Sequence, residues 1–485
     1  MTGHLYLASK RAAVTYHRGP DGALSAELAP GGTANVVADL VRRLDITWIA
    51  SAMTDEDRSL AARHPDGVDI ADSDGNPVRL HLFRHRRAVF DAMQYNFTSD
   101  TLWAAHHELW DRWRSPTSDG ELPRVWAAFG EFGEDLGRAL LRVSAHDPTP
   151  AYLVHDYQLM RVPAVVRAAR PDRPVLLFMH IPWPDPDTWR VLPRYVRRPL
   201  VEDMLAADVV AFFTRRWVRN FLLCVDDLLP DAVVDPSTGT VTRAGWRTRV
   251  RALPLGYSPT TLHRRRLTLP GEVAAWVGAD RLVVHAGRSD PIKNAARAVE
   301  AFRLAVAGRP ELADARMVVR MNPHRAYVPA YQTYRRDVER AVATANAELG
   351  GPRVLVSAGN DVDVTFALFA RADALLVNSI VDGQNLSAYE AALVNTRDAE
   401  LILSENCGAA ETLGAVSVVV NPFDLHEQAG ALAAALTTPR AGRADRAALR
   451  RRVAARYDLP SWVDAQVGAL LDGTAPAGSA QGRPA

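Results

Sequence analysis

The sequence predicts an α/β protein built from two doubly wound, Rossmann-like domains, and three observations carry that expectation. The chain has 485 residues, more than one compact core accommodates, so two domains of roughly 200 to 250 residues are expected. Short, continuous aliphatic runs alternate with helical patterns, the mark of parallel strands covered on both faces. That alternation breaks once, between residues 254 and 270, and then resumes.

Residues 1–10 read as a first short strand, without the long apolar stretch of a signal peptide. The clearest later strands are 152–154, 175–179, 282–284, 317–319, 354–356, 374–377, 401–403 and 418–420. Between them, residues 294–307 carry Ala295, Val299, Phe302, Ala305 and Val306 on one helical stripe. The expected organisation is a first domain over 1–258, a second over 259–454, and a final helix near 455–471 packing back onto the first. Residues 472–485 are small, polar and rich in Pro and Gly, and are expected to be a disordered tail. In a pair of doubly wound domains, ligands are expected in the cleft facing the carboxyl ends of the strands.

Composition excludes several classes of function. Lys+Arg is 57 against Asp+Glu 56, so no net field draws the chain to nucleic acid or an acidic membrane. No apolar run reaches membrane-spanning length. Two cysteines, Cys224 and Cys407, are too few for a disulfide framework or a cysteine-built zinc site, which fits a reducing cytoplasm. Lys10 and Lys293 are the only lysines in an arginine-rich chain. A lysine that persists against such a drift either marks a place where a compact ammonium is needed or is a chance survivor.

The polar residues that stand out follow strands. Arg288 and Lys293 lie five apart in a strand-to-helix loop that can aim two cations at one pyrophosphate. Asp382 to Leu386 form a turn in which Gly383 lets the backbone approach a ligand closely, with Gln384 and Asn385 beside it. Glu390, eight residues beyond Asp382, can chelate a ribose diol. His155 and Asp156 end one strand, and His180 ends the next. Arg11 ends the first strand, Gly31 and Gly32 precede a helical pattern, and Asn322 and Arg325 follow another strand. Each feature also has a plain reading, respectively a solvated loop, an ordinary helix cap and a structural hydrogen-bonding histidine. No Ser-His-Asp order, HExxH or Walker loop is present.

Taken in order, these stretches resemble the trehalose-6-phosphate synthase family of retaining glycosyltransferases, whose fold is GT-B. The likeness runs from Leu5 to about Ala435. It rests on LASKRAAVTY, HIPWP, GRSDPIKNAARAV, RMNPHR, VDGQNLS and LSENCGAAE. Within the family the chain is similar to the pseudo-glycosyltransferases that make validoxylamine A 7′-phosphate. The family reads RLDYxKG where this chain has Arg288-Ser289-Asp290-Pro291-Ile292-Lys293-Asn294, and RDGMNLVAKE where it has residues 381–390. The spacing of the donor-binding residues survives while their neighbours differ.

The resemblance implies roles for individual residues. Arg288 and Lys293 would hold the donor diphosphate and neutralise the departing charge. Asp382 and the amides of Gly383, Gln384, Asn385 and Leu386 would grip the donor ring, Glu390 the ribose, and His180 the donor ring. Gly31 and Gly32 would lie near the donor phosphates. Asp156 would contact the acceptor, and Arg11 and Arg325, with Tyr95 and Asn322, would hold the acceptor phosphate. The implied reaction couples GDP-valienol to validamine 7-phosphate through a C–N bond with retention. It needs no cofactor and no metal, since the GDP-activated cyclitol is a substrate. Partners are the nucleotide-activated donor and the phosphorylated acceptor, no nucleic acid and no membrane, and at most a second copy of the chain. An ordinary trehalose-6-phosphate synthase, and a catalytically silent sugar-phosphate-binding regulator, are the competing readings.

Overall fold

A computed structural model describes residues 4–12, 14–19, 24–28, 40, 44, 46–71, 77–110, 118, 120–263, 267–278 and 281–472. The chain divides into two compact units. One comprises the described residues up to Pro254 with those from Pro460 onward, and the other is Leu255–Leu459.

Among the described residues, twelve strands belong to the first unit: β1 Leu5–Arg11, β2 Val14–Arg18, β3 Leu24–Leu28, β4 Ile46–Ser51, β5 Val68–Ala71, β6 Pro77–Phe83, β7 Ala151–His155, β8 Val175–Phe178, β9 Val209–Phe212, β10 Val233–Asp235, β11 Thr240–Arg243 and β12 Trp246–Ala252. Ten form one sheet in the order β10-β11-β12-β9-β8-β7-β1-β4-β6-β5, while β2 and β3 pair separately. The seven strands from β12 to β6 are mutually parallel, and antiparallel pairs occur only at the two edges. The central strands read AYLVH, VLLF and VVAF and are buried throughout. Burial on both faces is why they are continuous aliphatic runs and do not alternate.

The second unit holds β13 Leu282–Arg288, β14 Arg316–Asn322, β15 Val354–Ala358, β16 Ala374–Val377, β17 Glu400–Ser404 and β18 Val418–Val420. All are parallel, in the order β15-β14-β13-β16-β17-β18. Counted within the unit this is 3-2-1-4-5-6, the doubly wound dinucleotide-binding order. The strand residues divide by parity. Val283, Val319, Leu376 and Ile402 face the helices Ala295–Val306, Pro329–Glu348 and Leu425–Thr437. Leu282, Val284, Val318, Leu375 and Leu401 face the helices Val362–Arg371 and Leu386–Val394. Each fully buried aliphatic side chain contributes about 1.5–3 kcal/mol relative to exposure, so the two faces anchor the strand ends that carry the loops.

All eight strands expected from the sequence are present, as is the helix over 295–306 and the first strand. The cuts between units fall at Pro254 and Leu459. The Gly31–Gly32 loop lies outside the described residues. So does the tail beyond Asp472. Among the described residues, no helix is long and apolar enough to cross a membrane.

Candidate active site

In a doubly wound sheet the loops diverge where the strand order reverses, and the crevice forms there. In the second unit that point lies between β13 and β16. The loop after β13 carries Lys293, and the loop after β16 carries Asp382. The Lys293 Nζ donates to Asp382 Oδ2 at 2.6 Å, with each side chain only 13% exposed. The two side chains are 89 positions apart in the chain, and strand order alone makes them neighbours.

Local chemistry holds each partner in place. Gly287 leaves the room that Lys293 occupies, since a Cβ there would stand 2.9 Å from the lysine Cγ. His285 Nε2 donates to the Lys293 carbonyl at 2.8 Å, and burial keeps this imidazole neutral, with a pKa lowered to about 4. Asn294 adopts the left-handed conformation (φ 62°) and starts the next helix. Its amide donates to the carbonyls of Asn378 and Pro422, so it ties the two loops together. Asp382 also accepts from Asn385 Nδ2 at 3.2 Å and from Ser379 Oγ at 3.4 Å.

Asn385 is itself left-handed (φ 72°) and gives the helix Leu386–Val394 no side-chain cap. The Ala388 amide closes onto the Asn385 carbonyl at 3.2 Å, while the two amides before it stand at the open end of the helix, where they can donate to an anion or a ring hydroxyl. The Gln384 side chain turns inward, donating to Leu255 O at 2.8 Å and Tyr389 Oη at 2.7 Å. What Gln384 can offer a ligand is backbone. Asp382 bridges to Cys407, and the Gly408 amide donates to the Asp382 carbonyl at 3.0 Å. The 405–409 segment is thus the floor of the loop. Glu390 is half-buried on the fifth position of the helix.

Arg288 ends β13 in register with Asn322 at the end of β14. The arginine side chain is 40% exposed and lies 3.9 Å from the fully buried Asp290 carboxylate. The Asp290 carboxylate caps the Pro291–Lys293 turn by accepting from Ile292 N. It also accepts from Tyr331 Oη at 3.3 Å, and Arg325 Nη1 donates to that same hydroxyl at 2.8 Å. Sequence reasoning did not single out Asp290, Tyr331, Ser379 or Gly408. Their only signals were a carboxylate inside the Arg288–Lys293 stretch and a glycine inside LSENCGAAE.

The first unit repeats the arrangement. Its reversal point lies between β1 and β7, with β8 next to β7. The register Ser9 to His155 and His155 to Phe178 aligns the three carboxyl ends. A bulge between Ser9 and Arg11 re-aims the end of β1, which is where Lys10 and Arg11 stand. Asp156 has φ 86° and ψ 161°, a region that costs a non-glycine residue about 1–3 kcal/mol and that collects at functional sites. Its carboxylate accepts from Tyr157 N at 2.9 Å. Tyr95 is 41% exposed, on a wide i→i+5 helical segment, Ala92–Leu102.

His155 Nδ1 and His180 Nε2 are 2.9 Å apart, so one ring donates and the other accepts. Phe178, Phe213 and Trp462 surround His180. Burial lowers the His155 pKa to about 3 and takes His180 well below 6.5, with the neighbouring ring adding to the second shift. Both imidazoles are therefore neutral at pH 7 and suit hydrogen bonding to a ring hydroxyl better than proton transfer. Unfolded histidines take up protons as pH falls through 6.5 while these two do not. Stability from the pair is complete above pH 6.5 and declines as pH falls below it, for His155 by about 1.4 kcal/mol per pH unit down to about pH 3. An NMR titration of the folded protein should leave both C–H resonances unmoved down to pH 5, and an inflection near 6.5 would contradict the buried pairing.

Residues 4–472 match the model of glycosyltransferase family 20. Over 472 residues the chain is 52% identical to a validamine 7-phosphate valienyltransferase of Streptomyces hygroscopicus subsp. jinggangensis, covering 97% of this chain and 95% of that one. It is 31% identical to a trehalose-6-phosphate synthase of Mycobacterium marinum, over 96% and 93% of the two chains. Among solved structures, an α,α-trehalose-phosphate synthase (UDP-forming) from Burkholderia vietnamiensis superposes with a TM-score of 0.79 at 25% identity, covering 97% of this chain and all of that one. The two parallel sheets and this likeness bear out the GT-B fold expected from the sequence.

Proposed function

The chain belongs to glycosyltransferase family 20, and from that premise we propose that it is a pseudo-glycosyltransferase. It couples GDP-valienol to validamine 7-phosphate with retention, giving validoxylamine A 7′-phosphate and GDP. The observation that carries the substrate assignment is the 52% identity to a validamine 7-phosphate valienyltransferase across nearly the whole chain, against 31% to a trehalose-6-phosphate synthase. The protein works in the cytoplasm, needs no cofactor, and has its two substrates as partners.

Lys293 and Arg288 are the groups for the donor diphosphate. Lys293 is paired with Asp382. Arrival of the diphosphate gives Lys293 a stronger anionic partner and releases Asp382 to accept from a cyclitol hydroxyl, so one exchange serves both ends of the donor. The amides at the start of the helix Leu386–Val394 donate to the same ligand. In the reaction the bond from the valienol carbon to the diphosphate oxygen breaks. Positive charge spreads over the allylic double bond, since valienol has no ring oxygen to share it. The amine nitrogen attacks from the face the diphosphate is leaving, the C–N bond forms, and a diphosphate oxygen takes the nitrogen's proton. A neutral amine is already a good nucleophile, so the protein's work is orientation and stabilisation of the leaving group. Neutral His180 contacts the donor ring, Asp156 the acceptor, and Arg11 and Arg325 the acceptor phosphate.

Mass spectrometry of products from a matrix of nucleotide donors and phosphorylated acceptors tests the reading. GDP-valienol with validamine 7-phosphate should give validoxylamine A 7′-phosphate. Rapid formation of trehalose 6-phosphate from a nucleotide-glucose and glucose 6-phosphate would replace it with a trehalose-6-phosphate synthase.

A further inference from the structure

Arg325 adopts φ 45°, a left-handed backbone that a non-glycine residue holds only where its surroundings over-determine it. Two contacts do so. The Val328 amide closes a turn onto the Arg325 carbonyl at 2.9 Å, and the Arg325 Nη1 donates to Tyr331 Oη at 2.8 Å. Tyr331 is buried, at 6% exposure, on the first turn of the helix Pro329–Glu348. Its hydroxyl proton goes to Asp290 Oδ2 at 3.3 Å. A single hydroxyl therefore donates to a carboxylate and accepts from a guanidinium. Burial first, and the Asp290 charge second, push its pKa up, so it stays a neutral phenol with its proton directed at the carboxylate. Asp290 is fully buried and stands 3.9 Å from Arg288.

We infer that Tyr331 is a positioning residue that gives the enzyme its preference for a phosphorylated acceptor. Asp290 is the fixed point, and the phenol transmits its position to Arg325, whose guanidinium is held facing one way in advance of the ligand. Without the hydroxyl, Arg325 keeps its charge and its place over the Tyr331 ring but loses the hydrogen bond that aims it. Because one carboxylate lies beside both Arg288 and the phenol, the diphosphate cation and the acceptor cation of this unit share an anchor. The inference rests on the reading of Arg325 as an acceptor-phosphate residue and adds the residue that orients it.

The test is a double-mutant cycle on Tyr331→Phe and Arg325→Ala, assayed with the acceptor in phosphorylated and unphosphorylated form. Tyr331→Phe should raise KM for the phosphorylated acceptor about tenfold, the scale of a hydrogen bond to a charged group. It should leave KM for the donor and kcat within about threefold. The preference for phosphorylated over unphosphorylated acceptor should shrink, and adding Tyr331→Phe to Arg325→Ala should change nothing further. Equal losses with both acceptors, or additive effects in the double variant, would reduce Tyr331 to a structural residue. If Arg325→Ala alone impairs the phosphorylated acceptor while Tyr331→Phe is inert, this inference fails and the function stands. If Arg325→Ala leaves the preference intact, the acceptor-phosphate reading fails and takes the inference with it.

Discussion

Replacing Arg288 or Lys293 with alanine is expected to lower kcat about a hundredfold or more. On the proposed reading each side chain donates to the diphosphate as negative charge develops on it, and one well-aimed donor to a developing anion is worth about 3–4 kcal/mol, or two to three powers of ten in rate. The loss should appear in the chemical step of a single-turnover experiment at saturating donor. Lys293→Arg should not restore it. The lysine stem runs past Gly287 with no room for a Cβ on that glycine, and a planar guanidinium does not substitute for a compact ammonium in such a channel. Normal turnover by either alanine variant would remove that residue from the mechanism.

Gly408→Ala should be strongly damaging. A Cβ at this position would stand 2.2 Å from the Gly383 carbonyl oxygen, 2.8 Å from the Gly383 carbonyl carbon and 2.9 Å from Gln384 Cα. All three are backbone atoms of the donor loop, so no rotamer change relieves the clash. The loop itself has to lift, and with it Asp382 and the amides at the start of the next helix. Overpacking of this kind costs about 1–3 kcal/mol of stability, and a shift of about 1 Å in a positioned group costs on the order of a hundredfold in rate. Calorimetry should show a lowered Tm, and steady-state kinetics a raised donor KM together with a reduced kcat. Gly430→Ala is the control, since a Cβ there meets nothing within 4 Å; on an exposed helix position it should leave the kinetics unchanged and raise Tm slightly. Wild-type kinetics in Gly408→Ala would mean that the 405–409 segment does not shape the loop.

Much of the fold was legible because parallel strands buried on both faces have to be continuous aliphatic runs, and each of the eight clearest runs is a strand. The edges were not. The strands β10 to β12 and the pair β5–β6 mix polar and apolar residues, and an exposed antiparallel edge leaves no distinctive pattern in so short a window. The segment Ala92–Leu102 was equally opaque, since a wide i→i+5 helix has no periodicity that a 3.6-residue template detects. Of the candidate site, the charged residues stood out because a lone lysine or an Asp-Gly turn after a strand is visible in one dimension. Asp290 and Tyr331 did not stand out. A buried carboxylate and a buried phenol matter through what they touch, and their partners lie 41 positions apart. Where the Gln384 side chain goes was equally hidden, because only the folded loop reveals that Leu255 and Tyr389 take its side-chain amide.

By itself the sequence determined the class of fold and the kinds of group available after each strand, because burial dictates strand composition and loop residues report the chemistry they carry. It also carried the family, through motifs whose spacing survives. The tertiary structure decided which of those groups meet. Strand order places β13 beside β16 and β1 beside β7, and so brings Lys293 against Asp382 and aligns the ends that carry Arg11 and Asp156. Pairing between distant strands is a property of the sheet as a whole, and no local stretch of chain encodes it.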